Sequence, residues 1–334
     1  MKIFKKLVIL FIVFTAFNVP RAMADKIEIN PVFTYGESLN QSQFNETKQI
    51  LGVKDGGQEL MVKINELNGL LHDNYPYKQV YSSAYITPAQ NEGEVTVEIL
   101  TPQTITTITP LQYKNAAITS GAIDVNIKVA SAVKVDGSGA LAGVYKAFQD
   151  QGHDLNQDAV AAAQKELSVT SGINKEHQGQ EGYDPELLNG AITEIKTSIQ
   201  QYKEENNVTQ ISQDQITQIV NNVVNNYNLQ NVLTQNNIQN LNQFSSDFSK
   251  VDLSAEQKQQ LQNLGNEILK EGGALFDNVK NDLQSLDLNL KVDDETKNFL
   301  QNAWDGLLNI LSQLVNAVSQ LFTAIGEFLG NLGK

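Results

Sequence analysis

The chain has 334 residues, no cysteine and a formal net charge of −14, from 24 basic and 38 acidic side chains. The missing thiols exclude disulfide staples and cysteine-ligated metal centres, and the acidic balance argues against nucleic acid and anionic lipid, which need cationic neutralisation. The length exceeds what one core usually organises, so two domains are expected.

Residues 1–24 have the pattern of a secretory signal. Lys2, Lys5 and Lys6 precede the apolar run Leu7–Phe17, and Ala22-Met23-Ala24 offers small residues for cleavage before Asp25. The apolar run is too short to span a bilayer. Removing Lys2, Lys5, Lys6 and Arg21 takes the 24 basic residues to 20 against 38 acidic ones, a net charge of −18. Arg21 is the chain's sole arginine. The mature protein would therefore lack the planar fork that captures phosphate or carboxylate bidentately. A secreted or cell-surface location is the expectation.

Residues 25–152 carry mixed signals. Asn40 and Gln43 form a capping box, with Leu39 and Phe44 placed as its apolar staple. Strands are expected over Tyr81–Ile86, Glu94–Ile99, Thr104–Ile108 and Asp124–Val135, from alternation and β-branched content. The Pro/Asn/Gly turn between the first two predicts an antiparallel pair. Thr109-Pro110-Leu111-Gln112 opens a helix that Gly121 closes, and another helix follows over Ala140–Gln151. A small α/β sandwich is expected here, so the fold class is α+β.

Residues 153–183 read as a hinge, with a short helix over Asn156–Leu167 and a polar loop over Thr170–Tyr183. All seven prolines lie at or before Pro185, and the remainder, residues 184–334, reads as an Asn/Gln-rich, all-helical domain. Ser212 with Gln215 and Ser254 with Gln257 repeat the helix-start device of Asn40. Within the amide-rich stretch Ile199–Phe244, Ile216, Ile219, Val220, Val223, Val224 and Tyr227 recur at helical spacing. That pattern predicts an amphipathic helix rather than a disordered tract.

Asp293–Leu329 is the most regular segment. Trp304, Leu307, Leu311, Leu314, Val318, Leu321, Phe322, Ile325 and Phe328 belong to an apolar stripe wider than a two-helix seam. The opposite face holds uncharged Asn, Gln, Ser and Thr. Three arrangements suit this candidate interaction surface: a core helix, a homo-oligomeric contact, or a peripheral membrane contact.

Residues that could carry chemistry are sparse. His72, His153 and His177 are scattered without ligand spacing. Asp154-Leu155-Asn156-Gln157-Asp158 starts like a calcium loop, but Ala159 replaces the required glycine and Lys165 the closing glutamate. Gly137-x-Gly139-x-x-Ala142 imitates a dinucleotide fingerprint without the following strand of a βαβ unit. No catalytic, cofactor or metal residues are expected.

Tyr81-Ser-Ser-Ala-Tyr-Ile86, Glu94–Thr109, Gln112–Gly121 and Gly139-Ala140-Leu141-Ala142-Gly143-Val144-Tyr145-Lys146-Ala147 together resemble the YpuA-like family, exported proteins of Gram-positive bacteria of unknown function. Thr34–Leu39 fits the opening of that family. The turn Asp136-Gly137-Ser138 departs from the Ser/Thr-Gly version associated with it. The resemblance implies export and a Gram-positive host, and it supplies no catalytic residues.

Two functions remain in contention. One is a non-enzymatic envelope protein whose Asn and Gln faces bind a protein or wall glycan. The other is an extracellular hydrolase acting through paired carboxylates such as Glu94, Glu98 or Asp124.

Overall fold

The computed structural model describes residues 27–271, which fall within one compact unit. Five strands form one sheet: β1 (Val32–Gly36), β2 (Gln58–Val62), β3 (Ser83–Pro88), β4 (Val95–Ile99) and β5 (Val125–Ala130), in the order β2-β1-β3-β5-β4. Nine α-helices are seen among the described residues: α1 (Gln41–Leu51), α2 (Leu67–Leu71), α3 (Pro110–Ser120), α4 (Ser138–Asp150), α5 (Gln157–His177), α6 (Pro185–Glu205), α7 (Gln213–Asn226), α8 (Gln235–Phe248) and α9 (Ala255–Glu271). The fold class is α+β.

The sheet is mixed. β1 runs parallel to β2 and β4 parallel to β5, while β3 is antiparallel to both β1 and β5. The expected hairpin between β3 and β4 therefore does not form, because β5 lies between them. The chain leaves β4, crosses through α3 and inserts β5, which satisfies both neighbours. Thr104–Ile108 is not a strand either, since its one ladder contact is an isolated bridge from Ile105 to Val135.

Alternation assigns the two faces. Phe33 and Tyr85 face α1, where Phe44 packs 5.7 Å from the Phe33 ring and 4.8 Å from Tyr35. Val32, Ala84, Ile86, Ile127 and Val129 join the main core, which the apolar side chains of α3 and α4 share. Gly143 of α4 rides against Thr34 of β1, where a Cβ would collide with the threonine hydroxyl.

The helices begin where their caps specify. Asn40, Thr109 and Ser212 each accept from the backbone N–H three residues on, and Gln43, Gln112 and Gln215 return the bond. Ser254 and Gln257 do the same for α9. α7 buries Ile216, Ile219, Val220, Val223 and Val224, while Asn221, Asn222, Asn225 and Asn226 face solvent. α5 extends ten residues beyond its expected end, to His177. Its later turns bury Val169, Thr170, Ile173 and Asn174, and that burial overrides the polar composition of the segment.

α3 is the pivot. One side meets β4 and the other meets α5, α6 and α9. Eight of its eleven residues are buried, including polar Gln112, Asn115, Thr119 and Ser120. Two neighbouring layers leave only Pro110 exposed, with Leu111 and Lys114 half-buried.

Candidate functional site

A shallow groove of about 650 Å³ lies beyond the end of β1, lined by Glu37, Lys63, Ile64, Asn65, Asn68, Asn74, Tyr75, Pro76 and Tyr77. Local geometry sets its walls. The Val80 carbonyl occupies the space a Cβ at Gly36 would need, so glycine lets β1 end against this segment. Glu37 follows, and its Oε2 accepts from the Ile64 N–H at 2.6 Å. α2 stops at His72, which adopts a left-handed φ of 51° and turns the chain into the groove wall.

The aromatic wall is braced from behind. The Tyr77 hydroxyl donates to Asp73 Oδ2 at 2.6 Å, and the Gln164 amide of α5 donates to the same oxygen at 3.1 Å. Burial and the Asp73 hydrogen bond push the Tyr77 phenol far above its ordinary range, so it stays a neutral donor. Asn68 Nδ2 and the Tyr77 N–H both donate to the Tyr75 carbonyl, at 3.1 and 2.9 Å. The Tyr75 ring sits 4.9 Å from Tyr77, tilted by 57°. Its backbone is pinned, yet its side chain remains 64% exposed.

The densest polar chemistry lies elsewhere and is inaccessible. Lys196 of α6 is fully buried and donates to Glu166 Oε1 and Oε2 at 3.0 and 3.1 Å, to Thr119 Oγ1 at 3.0 Å and to the Asn115 carbonyl at 3.3 Å. Thr119 in turn donates to Glu166 Oε2 at 2.8 Å, and Thr193 to Asn115 Oδ1 at 3.2 Å. Burial lowers the Lys196 pKa, opposed by Glu166. Every polar partner is internal, so this cluster ties α3, α5 and α6 together and reaches no substrate.

The structure disperses the sequence candidates. Asp124 is buried with φ 64°, and its carboxylate accepts the N–H groups of Gly93 and Ile27, at 2.5 and 3.0 Å. Glu94 accepts from Asn91 Nδ2 at 2.9 Å. Glu98 is exposed on β4, about 13 Å along the chain from Glu94 at strand rise. None of the three lines the groove. His177 is buried between Gln180 and Asn237, at 2.7 and 2.8 Å, and His153 contacts the Glu28 carbonyl. Among the described residues no group of three His, Asp or Glu is placed to hold a metal.

The two other motifs have structural roles. Asn156 caps α5 through the Ala159 N–H at 3.0 Å. Gly137 accepts the buried Tyr113 hydroxyl on its carbonyl at 2.6 Å, and a Cβ at Gly139 would come within 2.8 Å of Val80. The apolar stripe from Trp304 to Phe328 lies outside the described residues. Among those described, no helix is long and apolar enough to cross a membrane.

The groove itself had a local signature. Asn74-Tyr75-Pro76-Tyr77 places two aromatics around a proline in a polar loop. That arrangement holds rings outside a core.

Comparison with known proteins adds lineage. Uncharacterized protein YpuA of Bacillus subtilis (strain 168) is 27% identical over 155 residues, 45% of this chain and 52% of that protein. The chain thus aligns with about half the length of that relative. No solved structure matches. A family model described as protein of unknown function (DUF1002) matches residues 35–264, a span that includes the whole groove. With most of its length inside that match, and with the YpuA-like resemblance borne out, the chain belongs to the DUF1002 family.

Proposed function

We propose that this is an exported, non-enzymatic binding protein of the Gram-positive envelope, and that the Tyr75 groove holds its ligand. The carrying observation is the groove's composition: amides and a braced aromatic wall, with Glu37 as its one lining carboxylate. Glycoside hydrolysis uses two carboxyl groups across the scissile bond. Glu37 alone, already accepting the Ile64 N–H, supports binding over hydrolysis. The positive n-region and Ala22-Met23-Ala24 support export.

We read the sheet and its flanking helices as a small α/β sandwich, followed by a helical half that ends in the amphipathic segment Asp293–Leu329. That terminal stripe is assigned to retention at the cell surface. The test is sedimentation of the secreted protein with isolated walls and membranes. Retention is expected, weakened by Tyr75→Ala through the groove and weakened separately by truncation after Val292 through the terminal stripe. Purely soluble behaviour with no retained partner overturns the binding reading.

A further inference from the structure

We propose that the groove is a saccharide subsite in which one neutral pyranose ring stacks on Tyr75 while the amides of Asn65, Asn68 and Asn74 read its hydroxyl or acetamido groups. This rests on the groove being the ligand site and adds the class of ligand.

Four observations converge. First, an aromatic ring left 64% exposed is a large apolar surface in water. It is held by a loop whose backbone is bonded on both sides. Tyr75 N–H donates to Asp73 Oδ1 at 3.4 Å, and its carbonyl accepts two further bonds. Such bracing lowers the ordering cost of binding. Second, a tyrosine face carries negative quadrupolar charge, and the C–H-rich face of a pyranose presents positive hydrogens to it. Third, Asn65 and Asn74 are exposed and keep both amide groups open, while Asn68 spends one N–H on the Tyr75 carbonyl and keeps its oxygen. Amides donate and accept, which suits hydroxyl and acetamido groups without charge.

Fourth, the charges cancel. Glu37 and Lys63 are the charged groups lining the groove, one of each sign. An anionic ligand would meet Glu37 without an arginine fork, and a cationic one would meet Lys63. A neutral ligand avoids both costs. The volume of about 650 Å³ lies in the usual range for small-ligand clefts.

The probes are tetramers of β-1,4-linked N-acetylglucosamine and of β-1,4-linked glucose, titrated by calorimetry into the mature full-length protein. Binding of at least one is expected, falling about tenfold or more in Tyr75→Ala and retained in Tyr75→Trp. Circular dichroism should be unchanged in both variants. Tetramer binding that Tyr75→Ala leaves intact overturns the proposed position. Failure of both tetramers, with walls still retaining the protein through a Tyr75-dependent contact, overturns the saccharide class and leaves the binding reading standing. Loss of wall retention altogether overturns both.

Discussion

The Lys196 cluster and the Tyr75 groove use polar side chains in opposite ways. Around Lys196 an ammonium, a carboxylate and a threonine hydroxyl lie within about 3 Å of one another, the spacing that in an open cleft would suggest catalysis. Nothing reaches them, because α3, α5 and α6 close over the cluster. At the groove, one carboxylate, one ammonium and three amides surround an exposed ring, with no catalytic pairing. Access, more than density of functional groups, separates the structural site from the binding site. Opposite sides of α5 serve the two, with Glu166 turned to Lys196 and Gln164, two residues earlier, turned to Asp73.

Breaking the buried pair should have the largest effect. Lys196→Met strands Glu166 in the core and should cost about 3–5 kcal/mol in urea unfolding. Adding Glu166→Leu should recover most of that loss. A single variant costing under about 1 kcal/mol would mean the cluster is not dry.

Glu194, two residues before Lys196, sharpens the contrast because it is half-buried and, among the described residues, has no lysine paired with it. Burial pushes its carboxyl up to about 7, partly offset by hydrogen bonds from Tyr227 and Asn226. A raised folded pKa means that the native state holds this proton more tightly than the unfolded chain does. Its contribution is complete below about pH 4.5 and is lost as pH rises through 7. Unfolding free energy should therefore fall by on the order of 2 kcal/mol between pH 5 and 8 from this group. Glu194→Gln should flatten that slope. An unchanged profile in the variant rules Glu194 out as its source.

Gln164→Ala tests the link between the regions. It removes one bond to Asp73 and should cost about 1 kcal/mol of stability. It should also weaken tetramer binding several-fold by loosening the brace behind Tyr77. Tyr75→Ala should be the mildest change for folding, within about 0.5 kcal/mol, because the ring buries little. A large stability loss there would make Tyr75 a structural residue.

Local signals were legible. The capping boxes at Asn40, Thr109, Ser212 and Ser254 depend on side chains three residues apart, and the α7 stripe is a matter of spacing. The partners of strands were not. β1 is buried along nearly its whole length, so Val32–Gly36 shows no alternation, while β2 is largely exposed and shows no apolar face. The insertion of β5 between β3 and β4 is a tertiary choice with no local mark. Lys196 did leave a trace, standing on the apolar rows of Leu188, Ile192, Ile195 and Ile199, where a lysine implies a buried partner. Which partner is set by Glu166, 30 residues earlier, and only packing brings them together.

One small contact constrains the timing of folding. Gln257 of α9 donates to the Ile118 and Thr119 carbonyls at the end of α3, at 2.8 and 3.2 Å across 139 and 138 residues. Those bonds cannot form until most of the chain has been synthesised. An emerging chain can close the sheet around α3 and still leave the far side of that helix uncovered. The apolar surface of α3 then waits for α5, α6 and α9, and the last of these arrives with residues 255–271. Among the described residues, the core around α3 is thus completed by a late segment reaching back to an early one.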